Sequence, residues 1–211
     1  MRQLLVIFTL FAVGYGLYYY VDYHKTRAPS PVVFDVADAP SLGEGPLCLV
    51  TFQDFLCPGC QHFHEKVYPR LKKRYILTGK VRYQVVPLAF LPGSREIAHA
   101  ALAVHEVKPS SFFAYIDLLY ANRGTYRGKT VEELLQEAGR IPDLSLPALQ
   151  QAAISLDSRA ILTRNFATAE LAMQNRVATP GVFVDGVDIS DYSFAEMVQY
   201  IDRKLWENRA Q

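Results

Sequence analysis

Hydrophobic and polar positions change period several times along this chain, and each change marks an element. Residues 4–21 are apolar without a single charge, with Arg2 before them and Asp22, His24, Lys25 and Arg27 after; a run of that length predicts a helix able to span a bilayer. Residues 28–41, punctuated by Pro29, Pro31 and Pro40, read as a tether with a candidate first strand at 32–36. The near-continuous apolar run 47–55 predicts a buried strand. From 57 to 77 the period becomes helical, with an apolar stripe of Cys60, Phe63, Val67, Leu71 and Tyr75, a kink at Pro69 and a stop at Gly79. Val81, Tyr83 and Val85 then alternate as a strand that ends at Pro87.

Helical patterns follow: an Ala-rich segment at 96–107, an aromatic one at 112–120, a short helix opened by the capping box of Thr130 and Glu133, and a longer one holding Leu162, Phe166, Ala169 and Met173. After Pro180 the run GVFV is a strand, Asp185-Gly186 a hairpin turn, and 194–206 a closing helix. The order β-α-β, helices, β-β-α predicts an α/β domain at 28–211, a mixed sheet with helices on both faces and a helical insertion at about 94–175, behind an N-terminal membrane segment at 1–27.

A net charge of +1 gives no electrostatic case for nucleic acid. The cluster Lys66, Arg70, Lys72, Lys73 and Arg74 reads as the solvated face and C-terminal end of the first helix, complementing its dipole.

The chemistry lies in Cys57-Pro58-Gly59-Cys60. Cys57 falls where a strand gives way to a helix, and Pro58 suits the first helical position, which needs no N–H. Unpaired N–H groups at a helix N-terminus stabilise a thiolate, the form that attacks disulfides. Cys57 is therefore the candidate nucleophile, and Cys60, one turn on, the candidate resolving thiol, with Pro58 and Gly59 as the dipeptide that tunes the pair. The same spacing also occurs in half a zinc site and in structural disulfides. A metal site from Cys57, Cys60, His62 and His64 is disfavoured because residues two apart on a helix do not face each other. Cys48, flanked by apolar residues, reads as a small buried hydrophobe, with an additional redox thiol or an intermolecular partner as alternatives.

The stretch FQDFLCPGCQHFH resembles the active-site segment of DsbA-like thiol-disulfide oxidoreductases of the thioredoxin superfamily, and VATPGVFVDGVDI resembles that superfamily's cis-proline loop and following strand. The resemblance covers roughly residues 30–208 and implies a thioredoxin fold with inserted helices. It also implies that Thr179 and a cis Pro180 present backbone to an extended substrate segment beside the nucleophile. Many members carry a buried Asp or Glu six residues before the nucleophile, where this chain has Thr51. His64, four residues after Cys60, is a candidate substitute proton relay; its other reading is a surface histidine at the edge of the apolar stripe.

Residues 4–21 are either an uncleaved anchor or a signal peptide cut after Ala12-Val13-Gly14, and the tyrosines at 18, 19, 20 and 23 read as an interfacial belt that favours the anchor. Since dithiol enzymes of this kind work where disulfides persist, the expected location is a bacterial inner membrane with the catalytic domain in the periplasm, or the soluble periplasm after cleavage. The expected function is disulfide exchange with cysteine-containing exported proteins, without cofactor or metal. It would be served by a membrane redox partner, either a quinone-linked oxidase or an electron donor. Two alternatives stand beside it: a dedicated reductant for one client, such as a cytochrome or metal-site maturation factor, and a non-catalytic binding module. Gly59, which contributes no side-chain dipole or charge, predicts a weaker oxidant than relatives with histidine there.

Overall fold

The central strand explains the architecture. Its sequence, LCLVTFQD, is apolar on both faces, so both must be covered. In the computed structural model, which describes residues 12–18 and 30–209, five strands form one sheet: β1 (Ser41–Leu42), β2 (Leu47–Asp54), β3 (Val81–Leu88), β4 (Gly181–Val184) and β5 (Val187–Asp188), in the order β1-β3-β2-β4-β5. β2 runs parallel to β3 in the register Leu47 to Val81 through Asp54 to Leu88, and the other pairings are antiparallel. Leu47 and Leu49 face one core, Val50 and Phe52 the other. The β4–β5 turn uses Asp185 (φ 46°) and Gly186 (φ 79°), the left-handed pair that a tight hairpin requires.

The helix after the cysteine pair, α1, covers residues 58–76 and alternates α-helical turns (Pro58–His62, Tyr68–Leu71) with π-helical ones (Phe63–Val67, Lys72–Ile76). Pro69 has no N–H to return to the preceding turn, and the wider turn just before it, in which Tyr68 N–H reaches Phe63 O, accommodates that break without ending the helix. The extra residue moves the apolar stripe. Val67 is only half-buried, Tyr68 is 2% exposed, and His64 turns into the core.

Six α-helices lie between β3 and β4: α2 (Ser94–Val107), α3 (Phe112–Ala121), α4 (Arg123–Tyr126), α5 (Val131–Ala138), α6 (Leu146–Ser155) and α7 (Ser158–Ala172), with a 3-10 turn at Pro109–Ser111 leading into α3. Small buried residues on α2, Ala98, Ala100, Ala101 and Ala103, let its neighbours approach closely. Thr130 and Glu133 form the expected capping box at the start of α5. The last helix, α8 (Phe194–Arg209), shares a core with α1, while α7 covers the opposite face through Ala169 and Ala172. The basic cluster on α1 is not simply solvated: the Arg70 guanidinium lies 3.4 Å from the Phe194 ring centroid and Arg74 pairs with Asp202 at 2.8 Å, fixing α8 to α1.

No strand forms at 32–36. Pro31 removes a donor, and only Val32 N–H makes a sheet-like bond, to Gly186 O at 2.8 Å. The segment is instead held by Phe34, whose ring meets Phe52 and Phe183 edge to face at 5.6 and 5.4 Å. From residue 31 onward, a tether by composition is thus part of the domain by packing. Residues 1–30 and 31–211 form separate units; in the first, 12–18 are helical, and most of the expected anchor at 4–21 lies outside the described residues. Among the described residues no helix is long and apolar enough to cross a membrane.

Phe34→Ala should cost about 1–3 kcal/mol of stability, less than for a fully buried ring, because two edge-to-face contacts and half-buried area go together. Denaturant unfolding measures the loss, and titration of the cysteine pair should be unchanged.

Candidate active site

The site is built on Asp54, the last residue of β2 and fully buried. Its Oδ1 accepts the Leu56 N–H at 2.9 Å, and its Oδ2 accepts the N–H groups of Phe90 and Leu91 at 3.1 and 3.0 Å and the Ser94 hydroxyl at 2.8 Å. Its carbonyl accepts the Cys57 N–H at 2.9 Å. These bonds turn the chain out of the sheet so that Cys57 becomes the N-cap of α1, in extended conformation, with Pro58 at the first helical position.

The two thiols experience opposite surroundings. Cys57 is 9% exposed, and its pKa is lowered to about 5, first by a hydrogen bond from the Cys60 thiol and then, against burial, by the Thr179 side chain and the N–H groups of Cys60 and Gly59. Cys60 is inaccessible, and burial, followed by its bond and proximity to the Cys57 sulfur, pushes its pKa far up. The pair therefore shares one proton, held on Cys60. All three cysteines are free, and Cys48, half-buried, donates to Gln84 Oε1 at 2.9 Å with its pKa raised by burial.

Thr179 and Pro180 lie across from the pair and are joined by a cis peptide bond. In the protonated form the Cys57 thiol donates to the Thr179 carbonyl at 3.3 Å. Gly59 faces the same loop: a Cβ there would lie 3.2 Å from Pro180 Cδ and 3.3 Å from Thr179 O. Glycine thus lets the loop close on the cysteine pair, a steric role beside its lack of charge.

On the sheet below, Thr51 belongs to an uncharged network that sequence reasoning did not find. Gln53 Nε2 donates to Thr51 Oγ1 and to Tyr83 OH, both at 2.8 Å, Thr51 and Tyr83 are 2.9 Å apart, and Tyr120 OH donates to Gln53 Oε1 at 2.7 Å. Burial raises the pKa of both tyrosines. No carboxylate takes part in this network.

His64 is 5% exposed, which corrects the surface reading; the π-turn explains it. Its ring lies between those of Tyr68 and Tyr120, at centroid distances of 5.1 and 4.6 Å, and Nε2 is 2.6 Å from Asp117 Oδ1. Its Nδ1 is buried without a hydrogen bond. His62 is exposed, and no group of three or more metal-binding side chains occurs among the described residues.

Arg123 was also missed. Its Nη1 donates to Leu56 O at 2.9 Å and its Nε to Gln61 Oε1 at 2.7 Å, while Gln61 Nε2 reaches Tyr120 O and Glu65 Oε1, each at 2.9 Å. An arginine at the start of a short helix in an insertion carries no local signal that would mark it as a neighbour of the nucleophile.

A family model described as thioredoxin matches residues 43–203. A Rickettsia conorii protein named as a protein-disulfide oxidoreductase is 30% identical over 155 residues, covering 72% of this chain and 54% of that protein. The chain thus spans about half of that relative, but it spans 93% of a Bacillus cereus protein named as probable disulfide bond formation protein D, 25% identical over 208 residues and 94% of this chain. Among solved structures, Chlamydia trachomatis DsbA superposes with a TM-score of 0.72 at 25% identity, covering 87% of this chain and 98% of that one.

Asp54→Ala leaves buried N–H groups at Leu56, Phe90 and Leu91 unpaired and should cost about 3–5 kcal/mol. Asp54→Asn should recover only part of this, because an amide nitrogen meets donors where a carboxylate oxygen stood. Denaturant unfolding gives the loss, and thiolate absorbance should show the Cys57 midpoint moving up in both variants.

Proposed function

The chain belongs to the thioredoxin family, and we propose that it is a DsbA-like protein-disulfide oxidoreductase, that Cys57 and Cys60 are its exchanging pair and that its net direction is oxidation of client dithiols. The observation that carries this is the asymmetry of the pair. A thiolate held at about 5 on Cys57 stabilises the reduced enzyme, and a disulfide whose reduced form is stabilised is an oxidant.

In that direction the enzyme starts as the Cys57–Cys60 disulfide. A client thiolate attacks Cys57 Sγ, an S–S bond forms between client and enzyme, the Cys57–Cys60 bond breaks, and Cys60 leaves with the electron pair and takes a proton. A second client thiolate then attacks the client sulfur of the mixed disulfide, and Cys57 leaves as a thiolate. The client loses two electrons, the enzyme gains them, and a membrane oxidase, quinone-linked, would remove them. Thr179 and Pro180 are assigned to docking of an extended client segment, supported by the 3.3 Å approach of the Thr179 carbonyl to Cys57 Sγ. The apolar run at 4–21 is assigned as the inner-membrane anchor, with the domain in the periplasm and exported proteins as clients. His64 is assigned as proton relay to Cys60, supported by its burial one turn beyond Cys60 and by its unspent Nδ1. Gly59 supports the second reading, a reductant for one client; a reduction potential near that of thioredoxin with no oxidation of unfolded clients would favour it.

Three outcomes are expected. Cys60→Ala should accumulate mixed disulfides with clients while Cys57→Ala traps none; equal trapping by the two removes the assignment of roles. The Cys57 thiolate should titrate near pH 5 against about 9 in the unfolded chain. Because the folded pKa is the lower one, the unfolded chain binds more protons at Cys57 between these values, so the Cys57 contribution to the stability of the reduced protein rises from pH 5 to 9, is full above 9, and is lost as pH falls through 5. Unfolding of the dithiol protein and its Cys57→Ala variant across that window checks the sign. Finally, His64→Ala should slow attack of Cys60 on a Cys57 mixed disulfide, the reverse of the first step above, near neutral pH, and superimposable stopped-flow pH profiles for variant and parent would remove the relay.

A further inference from the structure

The segment facing the nucleophile is held from behind by Met173. The last helical turn of α7 is closed by the Met173 N–H, which donates to Ala169 O at 2.9 Å. The chain then reverses through two consecutive left-handed residues, Gln174 (φ 52°) and Asn175 (φ 62°), a conformation that non-glycine residues keep only where their surroundings fix it. Asn175 N–H reaches Glu170 O at 2.8 Å and Arg176 N–H reaches Met173 O at 3.0 Å, locking the reversal. It lays residues 177–180 back over the Met173 side chain, and the Ala178 N–H donates to Met173 Sδ at 3.3 Å.

A second contact meets the same side chain from the other end of the segment. A Cβ on Gly181 would overlap Met173 Cε and lie 3.3 Å from Sδ, so the methionine tip occupies the place a side chain at 181 would need. Met173 itself is 9% exposed and shares a core cluster with Val50, Phe52 and Phe183. Ala178 and Gly181 bracket Thr179 and Pro180, and both bear on one thioether. Three rotatable bonds and a polarisable sulfur let methionine fill this gap and accept a hydrogen bond at once; leucine could supply the volume but not the acceptor.

We infer that Met173 is a positioning residue for client docking: by accepting the Ala178 N–H and filling the space over Gly181, it holds the Thr179 backbone beside Cys57 at the height where an extended polypeptide can pair with it. The inference rests on the docking role proposed for Thr179 and Pro180. A small dithiol needs only Cys57, whereas a polypeptide needs the edge as well, so loss of the sulfur should separate the two substrates.

The test uses the full chain with Met173→Leu, comparing KM and kcat for a reduced unfolded polypeptide with the rate for dithiothreitol, alongside hydrogen exchange at the Ala178 amide. The polypeptide KM should rise about threefold to tenfold, the size of one lost hydrogen bond, with kcat and the dithiothreitol rate little changed and the Ala178 amide exchanging faster. Gly181→Ala, which displaces the methionine tip, should reproduce the KM effect with the sulfur present. An unchanged polypeptide KM in Met173→Leu overturns the inference alone, as does a parallel loss on both substrates, the mark of a merely structural role. A parent protein that exchanges with dithiothreitol but with no polypeptide overturns the docking role, and the inference with it.

Discussion

One buried carboxylate sets the geometry on which the site depends. Asp54 ends the central strand inside the protein, where a charge without partners would cost several kcal/mol, and it is tolerated because donors from two chain segments converge on it. Those donors are the Leu56 amide on the nucleophile turn and the Phe90 amide, Leu91 amide and Ser94 hydroxyl on the turn that opens α2. Satisfying the charge therefore fixes two turns at once. Gly93 follows from the same constraint: the chain must enter α2 just after the Leu91 amide has reached Asp54, and it does so with φ 83°, a left-handed step that glycine makes without strain.

With the turn fixed, the difference between two identical side chains becomes a matter of depth and dipoles. Cys57 stands at the helix entrance with N–H groups of Gly59 and Cys60 directed at its sulfur, and Cys60 lies one turn deeper with no solvent contact. Beneath them the sheet offers hydroxyls and an amide rather than a charge. A buried carboxylate at position 51 would repel a thiolate at Cys60 and add to its already high pKa; the neutral network avoids that while keeping the Gln53, Thr51, Tyr83 and Tyr120 side chains hydrogen-bonded.

Legibility in the sequence followed the range of the forces involved. The succession of strands and helices from residue 47 onward, the hairpin at Asp185-Gly186, the capping box at Thr130 and the N-cap position of Cys57 are written in neighbours a few residues apart, and these are the features that pattern reading placed well. The π-turns of α1 were missed because a helical period assumes a constant turn; Pro69 was read as a kink, whereas the helix absorbs it by widening, and His64 moves from the edge of the apolar stripe into the core as a result. The supposed strand at 32–36 failed because alternation was satisfied by packing Phe34 into an aromatic cluster rather than by a hydrogen-bonded ladder. The long-range partners of Asp54, Gln61 and Thr51 lie 32 to 62 residues away, and no local pattern announces them.

These long-range bonds change how the helical insertion is understood. A lid that merely shaded the cysteines would need only apolar contact with the sheet. Here Tyr120 on α3 donates to Gln53 on β2, and Arg123 on α4 donates to the Leu56 carbonyl beside the nucleophile and to Gln61 on α1. The Arg123 bonds are charge-assisted and roughly twice as strong as neutral ones, and a lysine could not span both acceptors with its single ammonium. Displacing α3 and α4 as a body would therefore strip partners from Gln53 in the core and from the Leu56–Cys57 peptide at the surface together. The insertion and the nucleophile turn are consequently one mechanical unit, and the depth of Cys60, on which the asymmetry of the pair rests, is maintained from the insertion side as much as from the sheet.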